Sequence, residues 1–166
     1  MMTTTARLLG TVGLLIGCTS PSSNVLPQAT SVEPGFRYPP LPPGYTDYGG
    51  GLLGTPPRVE YSLSLVAGPG GEALWLSRFT HHDSLGKAHW ELRAQRILPT
   101  ISSGMSVARL DCSLDHEPNA GVVAIGTWIA DTLVNIRAAW LALPSVERID
   151  TISPERVACS YEEDRD

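Results

Sequence analysis

Apolar and polar side chains alternate over residues 59–67, and two turn-forming clusters divide the stretch from there to residue 98. That period of two confines the region to half-buried strands. Val59, Tyr61, Leu63, Leu65 and Ala67 alternate with Glu60, Ser62 and Ser64. Gly68-Pro69-Gly70-Gly71 then breaks the run, as a hairpin turn does. A second strand over 73–80 sets Trp75 and Phe79 on one face and Leu74 and Leu76 on the other. His81-His82-Asp83-Ser84-Leu85-Gly86 forms the next turn. A third strand over 87–98 sets Trp90, Leu92 and Ala94 opposite His89, Glu91 and Arg93. The three make an antiparallel meander.

After a polar connection over 99–106, a fourth strand over 107–114 points Ala108, Leu110, Cys112 and Leu114 inward. The loop 115–120 leads into Val122-Val123-Ala124-Ile125, an apolar run of strand length. Beyond Trp128 the spacing changes. Leu133, Ile136, Trp140 and Leu143 fall three or four apart, and Val134 and Leu141 widen the stripe. This spacing predicts an amphipathic helix, started by Asp131 and stopped by Pro144. Segments 148–152 and 156–161 read as short strands, and 162–166 as a solvated acidic tail. The fold class expected is α+β: a meander of about five to seven strands with one helix packed on it. Residues 58–166 make up its single domain, and the four tryptophans, Trp75, Trp90, Trp128 and Trp140, belong to its core.

Residues 19–57 differ sharply in composition. Ser, Thr, Pro and Gly dominate, with Pro39-Pro40-Leu41-Pro42-Pro43 and Gly49-Gly50-Gly51 at the centre. Such a segment buries too little apolar surface to offset its ordering entropy, and it reads as a disordered tether. A sharper alternative makes Tyr38, Tyr45 and Tyr48 a recognition segment for an aromatic-lined groove.

The chain opens with one basic side chain, Arg7, and an apolar stretch over 8–16. The stretch is too short to cross a bilayer, which takes about 20 apolar residues. A basic start, a short apolar core and small residues at its end make a secretory signal over 1–17. Its last residues, Leu15-Ile16-Gly17-Cys18, resemble the lipobox of bacterial lipoproteins. The resemblance implies that the Cys18 thiol carries a diacylglyceryl group and that cleavage makes Cys18 the new, further acylated N-terminus. Residues 18–57 then hold the domain off the membrane. Several acyl chains anchor firmly, because each buried methylene contributes about 0.8 kcal/mol. Thr19 stands where an inner-membrane-retained lipoprotein often has Asp, which points to the outer membrane. The domain would face the periplasm or the cell surface.

With Cys18 lipidated, Cys112 and Cys159 remain, and an even remainder in an oxidising compartment reads as one disulfide. A thiol nucleophile or metal pair is the alternative, but neither cysteine has CxxC spacing and only His116 is nearby. Losing the leader removes Arg7 and makes the mature chain more acidic than its formal −5. An acidic chain without a Lys/Arg stripe is a poor partner for nucleic acid. The spacing of Cys112, Ala139-Trp140 and Val157-Ala158-Cys159 faintly resembles small exported bacterial proteins of unknown function. That likeness implies an exported, disulfide-bearing domain and nothing about mechanism.

Two places hold residues suited to chemistry. His81, His82, Asp83 and His89 surround one hairpin, and imidazole with carboxylate is a ligand set for zinc or copper. Asp115, His116 and Glu117 share a loop, where carboxylate and imidazole suit acid–base work if a pocket gathers them. Plain turn chemistry is the simpler account of both. The chain carries no HExxH, P-loop, nucleophile elbow or dinucleotide glycine motif. The function expected is therefore that of a non-enzymatic binding or assembly component with an envelope-protein partner. The alternative is a periplasmic metal-binding protein or metal-assisted hydrolase using the hairpin histidines.

Overall fold

In the computed structural model, residues 32–54 and 58–161 are described; the leader, Cys18 and the acidic run 162–166 lie outside them. Five strands form the first sheet: β1 (Arg37–Tyr38), β2 (Thr46–Leu53), β3 (Tyr61–Gly68), β4 (Gly71–His82) and β5 (Ala88–Ile97). Their order is β1-β5-β4-β3-β2, all antiparallel, and the β3–β4–β5 meander is the one the alternation predicts. Further along come β6 (Ser106–Arg109), β7 (Cys112–Leu114), β8 (Glu117–Pro118), β9 (Val122–Ile129), β10 (Thr132–Leu143), β11 (Arg148–Ile152) and β12 (Val157–Cys159). They build a four-stranded sheet, β11-β10-β9-β6, and a small one, β12-β7-β8.

The layers stack in a fixed sequence. Leu53, Leu63, Leu65, Leu74 and Leu76 of the first sheet meet Val123, Ile125, Trp140 and Ala142 of the second. The outer face of the second sheet, with Val122, Ala124, Leu133 and Ala139, is covered by Cys112, Val157 and Cys159 of the third. The outer face of the first, with Val66, Ala73, Trp75 and Leu92, is covered by Val32 and Tyr38, with Phe36, Leu41 and Tyr45 packed beside them. Burial on both faces explains the unbroken apolar run at the start of β9. All four tryptophans pack into these three clusters, Trp75 and Trp140 fully buried and Trp90 and Trp128 partly so.

The expected α+β class is overturned, because the residues read as an amphipathic helix form β10. Among the described residues the only helical elements are two single turns, Pro144–Val146 and Pro154–Arg156. None is long and apolar enough to cross a membrane. The helical spacing is a coincidence of a bulged strand. Pairing with β9 slips by two residues between Val134 and Ala138, so Leu133, Ala139 and Leu141 keep one face across the slip and Ile136, inside it, joins them. Leu133 and Ile136 therefore pack towards the third sheet while Trp140 packs towards the first. A true helix would have put them on one stripe. Asp131 caps nothing here; its carbonyl accepts the Tyr161 amide at 2.8 Å.

The tether is also shorter than the composition predicts. Residues 32–45 form a strap over Trp75, and 46–53 are an ordered edge strand. The strap is held by aromatic packing, by backbone hydrogen bonds between Gly35, Phe36 and Leu92, and by side-chain contacts, one of them fully buried. Tyr38 meets Trp75 edge-on at a centroid distance of 5.5 Å, and Tyr45 lies 5.7 Å from the same indole. The Tyr38 hydroxyl donates to Ser77 Oγ at 2.8 Å, and burial pushes its pKa up. The aromatic residues among the prolines thus serve as the strap's own core contacts.

The predicted fourth strand divides at Leu110, whose φ of 76° ends β6 and starts the crossing to β7. The division lets β7 and β12 pair with Cys112 directly opposite Cys159. The two cysteines are disulfide-bonded, as the even remainder of cysteines suggested.

Candidate functional site

The hairpin histidines lie at the β4–β5 tip, but they do not form one cluster. His81 and His89 are cross-strand partners whose rings stack at 4.6 Å. His82 sits instead against Phe79, at 4.8 Å. Successive residues of a strand face opposite ways, and the hairpin does not twist enough to cancel this. Asp83 Oδ2 lies 3.5 Å from His89 Nε2, while Asp83 Oδ1 accepts the amides of Leu85 and Lys87, both at 2.9 Å. These hydrogen bonds, with Lys87 foremost, hold the Asp83 carboxyl below its usual range. Asp83 is thus largely engaged in shaping the turn. Among the described residues, no three His, Cys, Asp or Glu side chains gather as a metal ion requires.

Asp115, His116 and Glu117 occupy the tight β7–β8 turn. Asp115 and His116 both take positive φ, 51° and 72°, the geometry of a two-residue hairpin loop. Asp115 is clamped by Arg156, whose Nε donates at 2.9 Å and whose Nη2 donates to the second oxygen. That ion pair holds the Asp115 carboxyl below its usual range. All three side chains are exposed, and none faces a common pocket. The loop is a staple between the third sheet and the Pro154–Arg156 turn.

A third group was not visible in the sequence. Glu91 on β5 is buried and lies in register with Arg37 on β1 and Arg78 on β4. Its carboxylate accepts from Arg37 Nε at 3.0 Å and Arg93 Nη1 at 2.5 Å, with Arg78 Nη2 at 3.6 Å. Arg93 also donates to Glu147, whose other oxygen accepts the Tyr61 hydroxyl at 3.1 Å. Glu91 is held below its usual range by Arg37 and then Arg93, and Glu147 by Arg93. Arg93 itself is pushed up by the two carboxylates, Glu147 first. The Tyr61 hydroxyl is raised by burial and then by Glu147. The network ties the first sheet to the β10–β11 turn and leaves no carboxylate free to act as a base. Sequence alone concealed it, because Arg37 stands in a segment that reads as a tether.

The fourth feature is a cleft of about 550 Å³ between the loop after β5 and the bulge of β10. Arg137, Asn135, Thr127, Ser102, Ile101 and Met105 are among its lining residues. Asn135 adopts φ 51°, a conformation Asn tolerates better than most residues. The other strand arginines all have protein partners: Arg37, Arg78 and Arg93 at Glu91, Arg96 at Thr151, Arg109 at the Tyr48 carbonyl and Arg148 at Asp150. Among the described residues, Arg137 alone of the strand arginines has none. A helix at this position would have placed Arg137 on a solvated face, so the cleft could not be read before β10 was seen as a strand. Compared with known proteins, the chain matches no family, no curated protein and no solved structure.

Proposed function

We propose that the protein is a lipid-anchored component of the bacterial cell envelope that binds or assembles with an envelope protein rather than catalysing a reaction. The observation that carries this reading is Leu15-Ile16-Gly17-Cys18, whose cysteine is separated by only 13 residues from Val32, the first described residue of the β layers. Fully extended, a chain of that length reaches at most about 45 Å, so the domain would work close to the bilayer. The disulfide between Cys112 and Cys159 suits an oxidising compartment outside the cytoplasm. Thr19 favours the outer membrane. For binding, the edge strand β2 offers Tyr48 and Leu52, 52% and 56% exposed, next to Leu110. An exposed strand edge with apolar side chains is a usual means of capturing another chain.

The test combines mass spectrometry with fractionation. The mature protein, released gently from membranes without chelator, should begin at an acylated Cys18. Cys18→Ser should move it to the soluble fraction and abolish labelling by an alkyne-bearing palmitate. An unlipidated chain that still begins at Met1 would overturn the proposal. A co-purifying envelope protein lost on Leu52→Arg, with the anchor intact, would support the binding half. A bound metal that disappears on changing His81 and His82 to Ala would replace that half with the metal reading.

A further inference from the structure

We infer that the cleft beside the β10 bulge binds a small organic carboxylate with an apolar body. The bulge between Val134 and Ala138 interrupts the ladder with β9 and places both Asn135 and Arg137 along one wall. Bulges commonly re-aim side chains at binding sites. The opposite wall is the loop after β5, which contributes Ser102. No carboxylate lines the cleft, although the whole chain carries a formal charge of −5. The guanidinium of Arg137 is therefore a local cation with no protein anion to neutralise it. Its planar fork matches a carboxylate with two parallel N–H donors. The Thr127 and Ser102 hydroxyls and the Asn135 amide supply further hydrogen bonds at the same rim.

The floor has the opposite character. Ile101 and Met105 line the cleft and also pack against the main core between the two large sheets. A polar rim over an apolar floor, in a cleft of about 550 Å³, fits an amphiphile of modest size. Acetate is too small to use the floor, and an alcohol lacks the charge that Arg137 requires. The site is independent of the lipid anchor and of the β2 edge.

The experiment is calorimetric titration of the mature protein with octanoate, 1-octanol and acetate. Octanoate should bind saturably at one site, with the other two at least tenfold weaker. Arg137→Gln should weaken octanoate at least tenfold, and Arg137→Lys should weaken it less. Ser103→Trp, placed on the loop wall and away from the ladder, should block binding and leave the unfolding midpoint unchanged. Amide shifts caused by octanoate should centre on Ile101, Met105 and Arg137. The inference is overturned if octanoate does not bind, binds Arg137→Gln equally well, or shifts residues on another face.

Discussion

Leu110 fills the space in which a side chain on Gly51 would stand, so the edge strand β2 and the β6–β7 crossing fit together only because residue 51 is glycine. One residue earlier the restriction is harder. A Cβ on Gly50 would run into the Leu63 carbonyl, which belongs to the neighbouring strand's backbone.

The two glycines should therefore respond differently to alanine. Gly51→Ala should cost about 1–3 kcal/mol, as overpacking does, because the obstacle is the movable end of a leucine. Gly50→Ala should cost more, since a backbone carbonyl has no rotamer to change. Leu110→Ala should recover part of the Gly51→Ala loss and none of the Gly50→Ala loss. Urea unfolding of the double mutants measures both couplings. Equal behaviour at the two positions would contradict the geometry.

A chain begun at Val32 should unfold cooperatively, whereas one begun at Arg58 should not. The shorter chain loses β1, β2 and the strap, and thereby uncovers Trp75, Val66 and Leu92. Its tryptophan emission should shift to the red, and it should aggregate at low denaturant. Native-like emission from the shorter chain would show the strap to be dispensable.

Replacing Cys112 and Cys159 together with Ser should destabilise the protein by about 4 kcal/mol in the chain-entropy account, given the sequence separation of 47. Thiol titration of the oxidised protein should find neither cysteine free. A reductant should lower the wild-type midpoint to that of the double variant.

Acid should weaken the fold in a defined direction. Glu91 and Glu147 both have carboxyls held below their ordinary value of 4.5 by arginine partners. Their contribution is full above that ordinary value and disappears as the pH falls through the lower folded-state values. Stability should therefore be flat near neutrality and drop progressively below about pH 4.5. Asp83 and Asp115 are shifted the same way, so Glu91→Gln should flatten only part of the slope. Unfolding midpoints measured from pH 7 to pH 2.5 test this, and a slope unchanged in Glu91→Gln would refute the assignment.

The parts of the fold readable in advance were those whose polar residues kept the strand period visible. In β3 Ser62 and Ser64 stand between the leucines, so the alternation announces a strand although both its faces are buried, and the pairing of Cys112 with Cys159 follows from cysteine arithmetic. The strand β10 is different, being apolar on both faces and bulged in the middle. Its apolar residues lose the period of two, and by chance Leu133, Ile136 and Trp140 adopt helical spacing. The arginine network and the Arg137 cleft were hidden for a related reason. Each depends on residues far apart in sequence, or on a wall whose secondary structure was misread. The strap was obscured by its prolines and glycines, although Phe36, Tyr38 and Tyr45 among them carried the signal of a buried segment.

The strap is the first described layer from the N-terminal side, so tension applied at Val32 is felt there before any other layer. The strap is held by a strand only two residues long, by the Arg37–Glu91 and Tyr38–Ser77 contacts and by rings lying against Trp75, so it is the layer that peels. The cross-linked cysteines sit behind the opposite sheet, at the far end of the load path. Pulled from that end, the molecule would yield in a set sequence, shedding its cover first and keeping its locked end to the last.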